Sequence, residues 1–173
     1  MPVTRLNHAV LFIRDLERSV AFYAEALGFR QVAGMPGAAF LQAADSTNDH
    51  DLGLFEVGSG AAASTAGRGS VGLYHLAWEV DTLDELERIS RKLTDLGALH
   101  GASDHSTTKA LYAKDPDGIE FEVSWLVPAD LIDEATLAGR ASIAPLDLAR
   151  EIERYGGQTR GGIGVSFPAP APS

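Results

Sequence analysis

Apolar and polar positions along the chain spell the same pattern twice. Residues 6–13, LNHAVLFI, form an apolar, branch-rich run with one histidine inside, the signature of a strand. Asp15 follows at a helix N-cap position, and Leu16, Val20, Tyr23 and Leu27 recur at helical spacing. Leu27-Gly28 ends that helix, the glycine supplying a left-handed cap. About 67 residues later the pattern returns. Residues 73–80, LYHLAWEV, make a strand with one histidine, Asp81 stands at the cap, and Leu83, Leu86, Ile89, Leu93 and Leu96 mark a helix that again ends in Leu-Gly.

Three short strand-like runs follow each helix: 29–34, 38–43 and 51–57 in the first copy, 98–101, 108–114 and 119–125 in the second. Turn residues punctuate them, including DPDG at 115–118. The expected fold is therefore α+β: two βαβββ units, 5–57 and 72–126, forming a cup-shaped mixed sheet with helices outside. Residues 57–71, rich in Gly, Ala and Ser, read as a flexible connection between them. A helical C-terminal extension is expected over 127–156, with starts near Asp130 and Asp147, packed outside the sheets. Residues 157–173 read as a disordered tail.

Alternation along a strand decides which side chains share a face. His8 falls with Leu6, Val10 and Phe12, and His75 with Ala77 and Glu79. In the last strand Ile119, Phe121, Val123 and Trp125 are expected to face helices, leaving Glu120, Glu122 and Ser124 on the other side. A lone histidine in an apolar strand is more often a hydrogen-bonded core residue than a ligand, and a lone glutamate is usually just solvated. Histidines at equivalent places in two copies, with a carboxylate in the strand after DPDG, change that balance. Two imidazoles and one carboxylate form the facial set that holds non-haem Fe(II) with open positions.

Composition narrows the chemistry. With no cysteine, any metal must take nitrogen and oxygen ligands, and the same absence fits a reducing cytoplasm. Hydrophobic residues at 45% and charged residues at 22% place the chain in the globular range. A net charge of −10, with acidic residues scattered, argues against nucleic acid. No signal-peptide pattern opens the chain, and no apolar run reaches the roughly 18 residues of a membrane span. A cytoplasmic protein acting on a small molecule is the expectation.

The runs LNHAVLFIRDLERSVAFYAEALGF, YHLAWEV and YAKDPDGIEFEV resemble the vicinal oxygen chelate superfamily (glyoxalase, bleomycin resistance and extradiol dioxygenase proteins) over residues 5–126. The resemblance implies a metal held by His8, His75 and Glu122. His50, in DHDLGLF, resembles the HDLAL-type motif of type I extradiol (catechol 2,3-) dioxygenases, where such a histidine is an acid–base residue. Tyr112 matches that family's active-site tyrosine, and His105 its additional pocket histidine. The activity that the resemblance implies is that of an extradiol dioxygenase using Fe(II), with Mn(II), Zn(II) and Ni(II) as alternatives. Its partners would be a small aromatic diol and O2, and its assembly a homodimer. His105 and Tyr112 would hydrogen-bond developing oxyanions. Two alternatives stay open. One is a glyoxalase-like or epimerase-like enzyme that stabilises an enediolate, with Glu56 as fourth ligand; the other is a metal-free protein that shelters a small molecule. Residue His100 reads as surface.

Overall fold

The structure, a computed structural model, describes residues 2–67, 69–162 and 165–166. Asp15 opens the first helix (α1, Leu16–Leu27): its backbone is extended and its side chain accepts from the Arg18 N–H at 2.9 Å. Gly28 closes it with φ 74°, in the left-handed region a Cβ disfavours. The buried stripe is Ser19, Phe22, Tyr23 and Ala26, while Leu16, Val20 and Leu27 lie half-buried at its flanks. It is rotated from the stripe that spacing alone predicts: helical spacing fits both, and only packing against the sheet selects one.

Two mixed sheets carry the fold, each belonging to one compact unit. The first unit holds the residues up to Thr65 together with Asp115–Ile119. Its strands are β1 (Ala9–Ile13), β2 (Arg30–Met35), β3 (Ala38–Gln42) and β4 (Leu52–Glu56), in the order β1-β4-β3-β2. β1 and β4 are parallel and the other pairs antiparallel. Leu11, Ile13, Leu41, Leu52 and Leu54 are buried, whereas Val10 and Phe12 on the opposite face of β1 remain 49% and 70% exposed.

The second unit, Ala66–Lys114 with the residues from Glu120 onward, repeats this topology. Its elements are β5 (Leu76–Glu79), α2 (Leu83–Asp95), β6 (Leu99–Asp104), β7 (Thr108–Lys114), β8 (Glu120–Leu126) and a short late strand, β9 (Ala144–Pro145), and its sheet runs β5-β8-β7-β6-β9. β5 and β8 are parallel. Phe121, Val123 and Trp125 are buried to 2% exposure or less, as alternation requires of the helix-facing side. Leu83, Leu86, Ile89 and Leu93 of α2 are buried as their spacing predicts.

Several details depart from the sequence expectation. Thr82, not Asp81, caps α2, its hydroxyl accepting from the Glu85 N–H at 3.3 Å. The run Thr82-Leu83-Asp84-Glu85 has the capping-box spacing that marks this start. β1 and β5 begin one residue after His8 and His75, so each histidine stands at the mouth of its strand rather than within it. β6 continues to Asp104. The extension is only partly helical: a 3-10 turn at Ala129–Leu131, α3 (Glu134–Gly139) and α4 (Leu148–Tyr155) flank a short strand, β9 (Ala144–Pro145), which pairs with β6. Asp133, rather than Asp130, caps α3.

The start of the expected tail is tied down. Gly161 N–H donates to the Asp81 carbonyl, Trp125 Nε1–H to the Thr159 carbonyl, and Ser166 Oγ to the Leu126 carbonyl. The backbone of this stretch has partners in the second unit, which is why it is held. Residues 167–173 lie outside the described residues. Among the described residues, no helix is long and apolar enough to cross a membrane.

In the first unit the DPDG turn is fastened by its own carboxylates. Asp115 Oδ1 accepts from the N–H groups of Asp117 and Ile119, and Asp115 Oδ2 from the Tyr23 hydroxyl at 3.1 Å. Asp117 pairs with Arg14 at 2.9 Å. Burial raises the pKa of Asp115 from 3.8, although its hydrogen bonds pull the other way. An acid whose folded pKa is raised contributes stability that is complete below its unfolded pKa and is lost as pH rises through the folded value. Asp115→Asn should preserve the turn and remove this fall, read by urea denaturation of both proteins from about pH 3 to about pH 7. A pH-independent difference between the two would contradict the raised pKa.

Candidate metal and catalytic site

In the second unit, strand pairing places four chemically able side chains together. β8 lies between β5 and β7, with Glu122 opposite Ala77 on one side and opposite Tyr112 on the other. Directly paired residues point to the same face, so Glu122 and Tyr112 share the side away from Phe121, Val123 and Trp125. His75, two residues before Ala77, brings Nε2 to 3.2 Å from Glu122 Oε2. Its ring centroid is 6.0 Å from that of Tyr112 and 4.6 Å from that of Tyr74. The Tyr112 hydroxyl and His105 Nε2 are hydrogen-bonded at 2.9 Å.

Electrostatics assign Tyr112 a protonation state. Burial first, then the Glu122 carboxylate and Tyr74, raise its pKa from 10.0, so the phenol holds its proton at neutral pH and acts as a donor. Tyr74 is a site neighbour that sequence reasoning missed; its place beside His75 in LYHLAWEV is the signal that could have found it. His105 uses its ring on Tyr112, while the turn beside it is capped by Asp104, whose Oδ1 accepts from the Ser106 N–H at 2.7 Å. Residue His100 is 40% exposed and 3.8 Å from Glu120, apart from this group.

In the first unit His8 and His50 are neighbours, their ring centroids 4.5 Å apart, with Phe40 5.0 Å from His50. His50 Nδ1–H donates to Asp49 Oδ2 at 2.9 Å, and His8 Nδ1–H to Asn7 Oδ1 at 2.7 Å. Since both acceptors are oxygens that take a proton only from the ring, each neutral imidazole keeps its lone pair on Nε2. Asp51 builds the loop that presents His50: its carboxylate accepts from Ser46 Oγ, Asn48 Nδ2 and the Ala43 N–H. Sequence reasoning missed this supporting aspartate too, because its partners come together only in the folded loop.

The Glu56 side chain is engaged elsewhere. Its Oε2 accepts from the Leu16 N–H at 2.8 Å, occupying one of the orphan donors at the start of α1. Face parity counted from His50 would place Glu56 with the ligands, but His50 precedes β4, and strand parity does not extend through the loop.

The donor set suits a divalent metal. Two ligand atoms about 2.1 Å from one ion and at right angles stand about 3 Å apart, close to the His75–Glu122 separation of 3.2 Å. His75 Nδ1 is buried with no hydrogen-bond partner among the described residues, so the ring is held by packing and by its Nε2 side. Among the described residues, no three His, Asp or Glu side chains gather as a metal-holding group. The structure brings His75 and Glu122 together in the second unit and places His8 with His50 in the first.

Comparison with known proteins adds a family. Residues 5–123 match the model of the Glyoxalase/Bleomycin resistance protein/Dioxygenase superfamily. A catechol-2,3-dioxygenase of Bacillus subtilis (strain 168) is 33% identical over 121 residues, 69% of this chain and 41% of that protein, so the chain spans about two fifths of that relative. A glyoxylase/bleomycin resistance protein/dioxygenase domain from Frankia sp. EAN1pec superposes with a TM-score of 0.58 at 21% identity, covering 71% of this chain and 92% of that one. Fosfomycin resistance protein FosX from Listeria monocytogenes, complexed with Mn(II) and 1S,2S-dihydroxypropylphosphonic acid, superposes with a TM-score of 0.53 at 16% identity, covering 70% and 90%. At these identities the structural likenesses are likenesses of fold.

Glu56→Ala should lower stability by about 1 kcal/mol through the freed Leu16 N–H and leave metal bound per chain unchanged. Urea denaturation and metal analysis of the purified variant test the two halves; loss of metal would make Glu56 a ligand after all.

Proposed function

The chain belongs to the Glyoxalase/Bleomycin resistance protein/Dioxygenase superfamily, and we propose that within it the protein is a metal-dependent extradiol dioxygenase that opens a catechol-type ring with O2. The proposed ligands are His8, His75 and Glu122, and the proposed metal is Fe(II). The observation that carries the reading is the Tyr112–His105 hydrogen bond at 2.9 Å on the face that bears Glu122. Similarity to a catechol-2,3-dioxygenase, 33% identical over 121 residues, supports it.

When bound, the metal would supply Lewis acidity to a catechol hydroxyl and an open position for O2. The other steps fall to the chain. His50, with Nδ1–H fixed on Asp49, presents Nε2 as the atom that takes a proton from the second hydroxyl and later returns it. Tyr112, kept protonated by burial, donates its hydroxyl proton as a hydrogen bond to oxygen that gains negative charge. His105 Nε2, bonded to that hydroxyl, fixes its direction in advance.

The competing readings are weaker on particular points. A glyoxalase-like isomerase with a fourth carboxylate would draw on Glu56, which is committed to the first turn of α1. In a metal-free binding protein the imidazole and carboxylate 3.2 Å apart would serve only as an ion pair. We read the protein as a homodimer, the assembly that the resemblance to this superfamily implies.

Protein reconstituted anaerobically with Fe(II) and given a panel of catechols should consume O2 in proportion to a new visible absorbance from the ring-opened product. His8→Ala, His75→Ala and Glu122→Ala should each lose the metal, whereas His50→Ala should retain it with kcat lower by about a hundredfold or more. Metal-loaded protein that consumes no O2 with any catechol would overturn the dioxygenase reading, and normal metal content in His8→Ala would overturn the ligand assignment.

A further inference from the structure

His105 stands in the turn between β6 and β7, and that turn is held largely by the chain beyond residue 123, where the family match ends. Ser106, next to His105, has φ 68°, a left-handed conformation that a residue with a Cβ adopts only when its surroundings impose it. Two bonds impose it here. Its N–H donates to Asp104 Oδ1 at 2.7 Å, and its hydroxyl donates to the carbonyl of Thr136 in α3 at 2.7 Å. Gly139, at the end of α3, packs so closely that a Cβ there would meet Ser106 Oγ at 2.6 Å and Ser106 Cβ at 2.9 Å.

The same turn is gripped from beneath. Lys109 Nζ lies 2.6 Å from Asp104 Oδ1 and 2.8 Å from Glu151 Oε2 of α4, with the lysine side chain 1% exposed and the glutamate 7%. The Glu151 approach is off the line of a good hydrogen bond, so charge rather than direction holds it. β9 adds backbone pairing to Ser103 and Asp104. Val127 N–H donates to the Thr107 carbonyl at 3.0 Å. All of these partners belong to the second unit.

We infer that the C-terminal extension is the positioning element for His105: through Glu151–Lys109–Asp104 and Thr136–Ser106 it fixes the turn from which the imidazole reaches Tyr112. Lys109, Glu151 and Ser106 are positioning residues that touch neither substrate nor metal. The alternation places Lys109 on the face opposite Tyr112, with its neighbours Leu111 and Ala113 buried, so its effect must pass through the turn. This inference rests on the dioxygenase reading only for the catalytic use of His105; the positioning itself is present without metal or substrate.

The test uses the full chain, metal-free and labelled with 15N-histidine, and reads the His105 ring nitrogens by long-range 1H–15N NMR, assigned by their disappearance in His105→Gln. Glu151→Gln and the milder Ser106→Ala should both move the His105 Nε2 resonance toward that of a free imidazole. Ile89→Val, a destabilising core change in α2, should leave it in place. In the Fe(II) protein, Glu151→Gln should lower kcat about tenfold with KM within about twofold, the split expected when a group acting in the transition state is misplaced. Unchanged His105 resonances in Glu151→Gln and Ser106→Ala would overturn the inference, as would equal shifts in Ile89→Val. If wild-type protein consumes no O2 while the resonances move as expected, the dioxygenase reading falls and the positioning stands.

Discussion

The register of β8 is the constraint on which the site depends. Phe121, Val123 and Trp125 are buried on one face, and the side-chain period of a strand is two. A slip of one residue would expose all three, each worth about 1.5–3 kcal/mol when buried, and would drive Glu120 and Glu122 among the leucines of α2. Neighbours on both sides inherit that fixed register. Glu122 therefore always faces away from the helix, with Tyr112 directly across on β7 and Ala77, two residues from His75, across on β5. A packing requirement that concerns only apolar side chains thus decides where the polar ones meet.

The two units solve the same pairing problem with different residues. β1 pairs with β4 as β5 pairs with β8, and His8 and His75 stand two residues before the paired positions Val10 and Ala77. By that register the counterpart of Glu122 is Gly53, and by the β3–β4 pairing the counterpart of Tyr112 is Phe40. At these positions the first unit therefore offers an aromatic ring and no carboxylate; a Cβ on Gly53 would stand 3.4 Å from Val10 and 3.7 Å from Phe40. The second unit keeps the carboxylate and the phenol. Divergence at two register positions of a repeated framework is enough to give only the second unit the carboxylate proposed as a ligand and the phenol beside it.

The architecture was legible in the sequence because it is local and repeated. Helix spacing, strand alternation and Leu-Gly stops are written within a dozen residues of where they act, and the matching histidines stood out because the repeat aligned them. The side of Glu122 was legible too, since alternation settles it. The illegible features depend on groups distant in the chain. Glu56 serves a helix start forty residues earlier, an attachment parity counting could not reveal. Lys109 reads as an ordinary polar strand residue, yet it is buried because Asp104 and, from the extension, Glu151 surround it. β9, two residues long and containing a proline, has no pattern of its own; it is a strand only because the edge of β6 offers partners.

The buried charges in the second unit are hard to justify by stability alone. Removing a lysine and a glutamate from water costs several kcal/mol per ion, and a pair of this kind often does no better than well-packed apolar residues of the same volume. The Glu151–Lys109 contact lacks even a well-aligned hydrogen bond to offset that cost. Charges provide a defined position, which apolar residues do not: a buried ammonium between two carboxylates has one arrangement of low energy, whereas apolar groups slide. Asp104 accepts at the same oxygen from Lys109 and from the backbone of Ser106, so the place of the ammonium becomes the place of the turn. An apolar core could hold the extension against the sheet equally well, but would leave that turn, and the imidazole on it, free to settle in more than one way.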